Sequence, residues 1–160
     1  MAKQKITPFL WFDTQAEEAA NLYVSIFKDA KLLRVSRYGD AGPGPKGSVM
    51  TVNFTLHGQA FTALNGGPHF KFNESVSFLV NCDTQEEIDH YWDKLIAGGG
   101  APSQCGWLKD KFGLSWQITP RMLGELAQSG EPARVGRMMQ AMMKMKKLDI
   151  AGLQRAYDGA

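Results

Sequence analysis

Cysteine is nearly missing from this chain of 160 residues. Two residues, Cys82 and Cys105, cannot make a disulfide framework, so free thiols in a cytoplasmic setting are expected. Histidine is almost as scarce, with three. No excess of one charge sign exists: 18 Lys and Arg stand against 16 Asp and Glu, a net charge of +2. That balance gives no argument for a nucleic acid or an anionic membrane as partner. No run approaches the roughly 18 apolar residues that span a bilayer, and residues 1–12 hold no signal-peptide core. What remains is 44% hydrophobic and 21% charged, the make-up of a globular protein able to bury a real core as one domain or two fused halves.

What the chain does have is a repeat. Asp13-Thr14-Gln15-Ala16-Glu17-Glu18 returns as Asp83-Thr84-Gln85-Glu86-Glu87. Each copy opens an amphipathic helix. Ala19, Leu22, Tyr23, Ile26 and Phe27 form the first apolar stripe; Ile88, Tyr91, Trp92, Leu95 and Ile96 form the second. Two copies about seventy residues long are too few for a solenoid. They predict a pseudo-symmetric pair of modules enclosing a shared cavity.

Around the helices the period changes to two. Residues 6–12 read as an edge strand interrupted by Pro8. A capping box, Thr14-x-x-Glu17, starts helix one. Residues 31–38 read as a strand, 39–47 as a Gly- and Pro-rich loop, and 48–56 as a strand with Met50, Val52, Phe54 and Leu56 on one face. His57-Gly58 turns the chain back into 60–65. In the second half, residues 75–82 alternate, Thr84-x-x-Glu87 caps helix two, Gly98 to Gly100 stop it, and 104–109 with 114–119 form a hairpin. After Pro120 the pattern is helical, with Val135, Met138, Met142 and Met145 in a stripe and Asp149 capping a last helix through Tyr157. The expectation is an α+β fold: two βαβββ modules, 5–67 and 74–120, forming a cupped mixed sheet in a domain 1–120, followed by a helical extension 121–160.

Familiar catalytic constellations are mostly missing. His57 sits in a turn, His90 falls off the helix-two stripe, and Glu87-x-x-His90 has no second copy to make a di-iron site. His69, in the bridge between modules, is either a ligand contact or a plain loop histidine. A phosphate loop needs strand, glycines, then a helix start; no glycine cluster here has that context, so neither a dinucleotide nor an S-adenosylmethionine loop is read. Cys82 shares the apolar parity of its strand and reads as a buried structural thiol. The methionine-rich helix packs on its own protein or on a second subunit, with a membrane or nucleic acid as the alternatives.

Four segments carry a likeness, Phe9 to Asp13, Leu64 to Pro68, Val76 to Cys82, and most specifically Cys105-Gly-Trp through Trp116-Gln117, and it extends over nearly the whole chain, including the tail Met145 to Ile150. The chain resembles the PhnB-like family of the glyoxalase/bleomycin-resistance/dioxygenase (vicinal oxygen chelate) superfamily, many of whose members carry the label 3-demethylubiquinone-9 3-methyltransferase. The resemblance implies paired βαβββ modules and a homodimer. It also implies a divalent metal held by His, Glu or Gln. The corresponding positions here are Ser75, a counterpart near Lys5 or Thr7, one near Leu64 or Asn65, and Gln117. One amide cannot hold such an ion against water, so neither a metal nor another cofactor is expected, and no catalytic residue is assigned.

What remains as a candidate is a cup of neutral polar side chains: Thr51, Asn53, Asn65, Ser75, Ser77, Gln117 and Thr119, closed by Trp11, Trp107, Phe70 and Phe72. The plain alternative is the wet face of an antiparallel sheet. The expected function is metal-free binding or sequestration of a small organic ligand by a homodimer. The alternatives are an enzyme of the same superfamily, such as a lyase, a dioxygenase or the methyltransferase of the family label, and an interaction module working through the methionine helix.

Overall fold

The computed structural model describes residues 4–160; residues 1–3, with which the expected domain 1–120 begins, lie outside the described part. Two compact units divide the chain, Met1–Phe72 and Asn73–Ala160. Unit 1 runs β1 (Phe9–Phe12), α1 (Ala16–Ile26), β2 (Lys31–Arg37), β3 (Val49–Leu56) and β4 (Gln59–Asn65). Unit 2 runs β5 (Ser77–Cys82), α2 (Gln85–Ile96), β6 (Ala101–Pro102), β7 (Trp107–Lys109) and β8 (Ser115–Pro120), then α3 (Arg121–Ser129), α4 (Pro132–Met142) and α5 (Ile150–Asp158). Both are βαβββ modules, as the doubled motif implied, and each carries its own four-stranded mixed sheet. The orders, β1-β4-β3-β2 and β5-β8-β7-β6, are the same permutation, with the first strand parallel to the last. The helical extension shares a compact unit with the second module.

The alternation decides which face of each sheet is covered. In unit 1, Leu10, Phe12, Val52, Phe54, Leu56, Phe61 and Ala63 are buried, and α1 packs on β3 and β4 through Ala19, Ala20, Tyr23 and Ile26. In unit 2, Val80, Cys82, Leu108, Trp116 and Ile118 meet Ile88, Tyr91, Trp92 and Leu95 of α2. Helices thus cover one face of each sheet, and the opposite parity is left helix-free.

Several local expectations change. β1 begins only at Phe9, because Pro8 has no N–H to give a ladder. β5 begins at Ser77: the Asn73 side chain accepts from the Ser75 N–H and from its hydroxyl, which folds that segment into a turn. The two capping boxes part company. At α2 the Thr84 cap forms, Glu87 N–H donating to Thr84 Oγ1 at 3.2 Å, while Glu87 Oε2 reaches one residue past the N-cap and accepts from Asp83 N–H at 2.7 Å. At α1 its counterpart does not. Helix 1 starts behind Gln15 with no local side-chain cap, and Asn65 Oδ1, from the end of β4, accepts from Ala16 N–H at 2.8 Å.

The methionine stripe packs on its own chain. Met138 is fully buried with Leu123, Leu148, Leu153 and Tyr157, and Val135, Met142 and Met145 lie against them. The extension is stitched to its module by the backbone bonds Cys105 N–H to Met145 O and Gly106 N–H to Lys146 O, both 2.8 Å, and by Gln85, which reaches Leu148 O and Ile150 N–H. Asp149 caps α5 through Gly152 N–H at 3.0 Å. Among the described residues, no helix is long and apolar enough to cross a membrane.

Candidate functional site

The helix-free faces are built row by row from the strand register. In unit 1, Trp11, Leu64 and Thr51 make one row, and Phe9, Thr62 and Asn53 the next. Asn53 Nδ2 donates to Thr62 Oγ1 at 2.8 Å. In unit 2, Leu79, Gln117 and Trp107 form a row beside Ser77, Ser115 and Lys109, with Asn81 and Thr119 beyond. Gln117 Nε2 donates to Ser77 Oγ at 2.8 Å. The register makes Thr62 the unit 1 counterpart of Gln117, since their parallel partners, Phe9 and Leu79, are seventy positions apart.

Seven of the expected residues lie on these faces: Trp11, Thr51 and Asn53 in unit 1, and Ser77, Trp107, Gln117 and Thr119 in unit 2. Phe70 joins Trp11 edge-on at 5.0 Å. Three others go elsewhere. Phe72 stands edge-on to Phe12, on the helix-covered side, at 5.1 Å. Ser75 is exposed in its turn ahead of β5. Asn65 is spent on structure: besides capping α1, its Nδ2 donates to Val49 O at 3.1 Å, and its carbonyl accepts from the Tyr38 hydroxyl at 2.6 Å.

Most of the distinctive motif from Cys105 to Gln117 serves the fold. Asp110 is buried and accepts from Phe112 N–H, Leu114 N–H and Trp116 Nε1 at 2.9, 3.1 and 2.9 Å. Gly66 leaves room for the Trp11 ring, whose indole N–H donates to Gly67 O at 2.9 Å. Cys82 is buried; that burial first, and the nearby charges of Glu87 and Asp83 next, push its thiol up to about 12. The Lys109 ammonium donates to Glu74 and holds that carboxyl below its usual range.

Three residues escaped the sequence reading. Thr62 and Ser115 have the parity of their helix-free faces, so their signal was present; Lys109 shares it by pairing with Ser115. A cavity of about 520 Å³ in unit 1 was also missed. It lies between Asp13 and Glu17 at the start of α1, Tyr38, Ser48, and the segment Asn65 to His69. Of its two acids, Glu17 occupies the first turn of α1, where the helix dipole stabilises negative charge, and Asp13 precedes the helix. His69 lines its wall and is exposed.

The geometry now has a match. Residues 4–119, β1 through β8, fit the family model described as 3-demethylubiquinone-9 3-methyltransferase. The chain belongs to that family. A PhnB protein from Bacillus cereus is 41% identical, with a TM-score of 0.67 over 73% of this chain and 99% of its own. Protein PA1353 from Pseudomonas aeruginosa is 22% identical (TM-score 0.61; 74% and 98% covered). The fosfomycin resistance protein FosX from Listeria monocytogenes is 16% identical (TM-score 0.52; 78% and 98%) and shares the fold. No curated protein matches the chain. This PhnB-like membership is what the residues between Phe9 and Gln117 suggested. The family match stops before α3, so the helical extension lies beyond it.

The divalent ion that the superfamily implies does not fit the residues present. Gln117 is bonded to Ser77 and Thr62 to Asn53, all of them neutral. Among the described residues, no three His, Cys, Asp or Glu side chains come together as a metal-holding group.

Proposed function

We propose that this PhnB-like chain is a metal-free protein that binds a small organic molecule on the helix-free sheet faces and works as a homodimer. The observation that carries the reading is the pairing of Gln117 with Ser77 and of Asn53 with Thr62 at the centres of those faces. Neutral amides and hydroxyls flanked by Trp107, Trp11 and Phe9 suit orientation of an apolar molecule by a few hydrogen bonds. They do not suit Lewis-acid chemistry. Methyl transfer is no part of the reading: Gly66 accommodates Trp11, and Gly42 and Gly44 accommodate Tyr38, so these glycines serve aromatic packing instead of a cofactor phosphate or adenosyl group.

A second copy is supported by apolar side chains exposed at repeat-related places. Ile6, ahead of β1, answers to Val76, ahead of β5, and both are exposed. Edge strands with such side chains are ordinarily covered.

Elemental analysis of protein purified without chelator tests the first half of the proposal; zinc, nickel, manganese or iron at one equivalent per chain would overturn it. A thermal-shift screen of small aromatic and dicarbonyl compounds supplies ligands, and Gln117→Leu is expected to abolish their shifts while Glu17→Gln, in the separate cavity, leaves them intact. The reverse pattern would move the site to that cavity. Light scattering is expected to give twice the chain mass; a monomer at micromolar concentration sinks the dimer.

A further inference from the structure

One hydroxyl in unit 2 has no use in the fold. Ser115 is 1% exposed, and its Oγ is, among the described residues, a buried side-chain polar atom with no hydrogen-bond partner. Burying a hydroxyl without a partner costs stability, whereas alanine at the same place costs nothing of the kind. The repeat supplies the control. Gln117 corresponds to Thr62, so Ser115 corresponds to Ala60, and Lys109, opposite Ser115, corresponds to Thr55, opposite Ala60. The same architecture therefore stands in unit 1 with neither the hydroxyl nor the cation.

Ser115 is not isolated. It lies in one row between Ser77 of β5 and Lys109 of β7, on strands about 4.8 Å apart. Ser77 Oγ accepts from Gln117, which leaves its own O–H to donate outward. Ser115 Oγ is closed to solvent, so a ligand reaches it only by opening the Lys109–Glu74 pair beside it; the row then offers two hydroxyl donors and an ammonium. The next row along, roughly 7 Å away, offers Trp107 and Leu79 as apolar surface. Lys109 is meanwhile held by Glu74, with both side chains partly exposed at 43% and 60%. A carboxylate already stands beside the cation, on an exposed side chain that a ligand can displace.

We infer that the helix-free face of unit 2 recognises the carboxylate of a small organic acid, with Ser115, Ser77 and Lys109 taking its oxygens and Trp107 and Leu79 its apolar body. The inference rests on the small-molecule reading above and names the ligand's class. Glu74 occupies the cation in the free protein, and the ligand's carboxylate replaces it. Hydrogen bonds to a charged group are the strong ones, so loss of any donor shows as affinity.

Benzoate and its neutral isostere benzamide serve as probes, with calorimetry for affinity and the Trp107 indole resonance for location. Benzoate is expected to bind about tenfold or more tightly than benzamide. Ser115→Ala should weaken benzoate about tenfold, weaken benzamide less and melt no lower than the parent. Lys109→Met should erase the preference, and Glu74→Gln should tighten benzoate. If both probes shift Trp107 with equal affinity, the carboxylate class is wrong although small-molecule binding stands. If neither reaches Trp107, the carboxylate inference falls, and the thermal-shift screen alone decides the small-molecule reading. Unchanged benzoate affinity in Ser115→Ala, whatever its melting temperature, overturns the role given to that hydroxyl.

Discussion

Asp110 shows how a motif can be conspicuous in sequence and structural in use. A buried carboxylate that satisfies two backbone N–H groups and an indole braces the turn at the β7–β8 connection. Asp110→Ala would leave all three donors without their acceptor, and a loss of about 3 kcal/mol in urea unfolding is expected; a change below roughly 1 kcal/mol would mean that water replaces the carboxylate. The two thiols should differ in kind. At pH 8, iodoacetamide is expected to modify half-exposed Cys105 in the native protein and to reach buried Cys82 only on unfolding, as read by mass spectrometry. Cys82 also carries a signed pH dependence. In the unfolded chain its thiol ionises near 9.0, in the folded one only near about 12, so the folded state retains a proton that the unfolded state releases. Stability is therefore indifferent to this group below pH 9 and falls as pH rises from there toward 12. Cys82→Ala should flatten that part of the stability–pH curve.

At the scale of elements, two nearly identical motifs, six residues and five, start two helices by different means. Thr84 caps α2 locally, while Asn65 caps α1 from 49 positions away and also ties down Val49. The expected order of destabilisation follows. Asn65→Ala costs most, about 2 kcal/mol; Thr84→Ala costs about 1 kcal/mol; Thr14→Ala is near neutral. Chemical denaturation of the three variants reads the order directly, and a Thr14→Ala cost equal to that of Thr84→Ala would contradict the assignment of the cap. The local signal, Ser/Thr-x-x-Glu, is identical in the two places. Only the second was decisive, because a competing acceptor from β4 reaches the first. Ser75 went astray for the same reason: its strand parity is sound, but Asn73, two residues earlier, makes a stronger local turn.

The whole chain is two copies of one topology plus an appendage. The copies were legible because the strand order depends on elements the repeat marks, and the same permutation appears twice. The appendage was legible as helices and not as a structural part of unit 2. Leu148 makes the connection: it is 1% exposed, belongs to the Leu123–Met138–Leu153–Tyr157 cluster, and lies against Gly106 at the start of the β7–β8 hairpin. Gly106 has φ +85° and would press a Cβ onto Ile118 O, so glycine is needed there. Leu148→Ala is expected to cost 2–5 kcal/mol, the range of a buried leucine cavity. Differential scanning calorimetry should show the extension and the second module melting together; a separate low-temperature transition for the extension would contradict their shared unit.

By itself the sequence determined the faces: period-two alternation fixes which side chains of a strand share a side, and the doubled motif fixes that this happens twice, both being properties of neighbouring residues. Tertiary structure alone decided which polar groups are used up. Asn65 was taken by Ala16 and Gln117 by Ser77, partners 49 and 40 positions away, while Ser115 was left without one. Hydrogen bonding depends on register and distance between strands far apart in the chain, which no local pattern encodes.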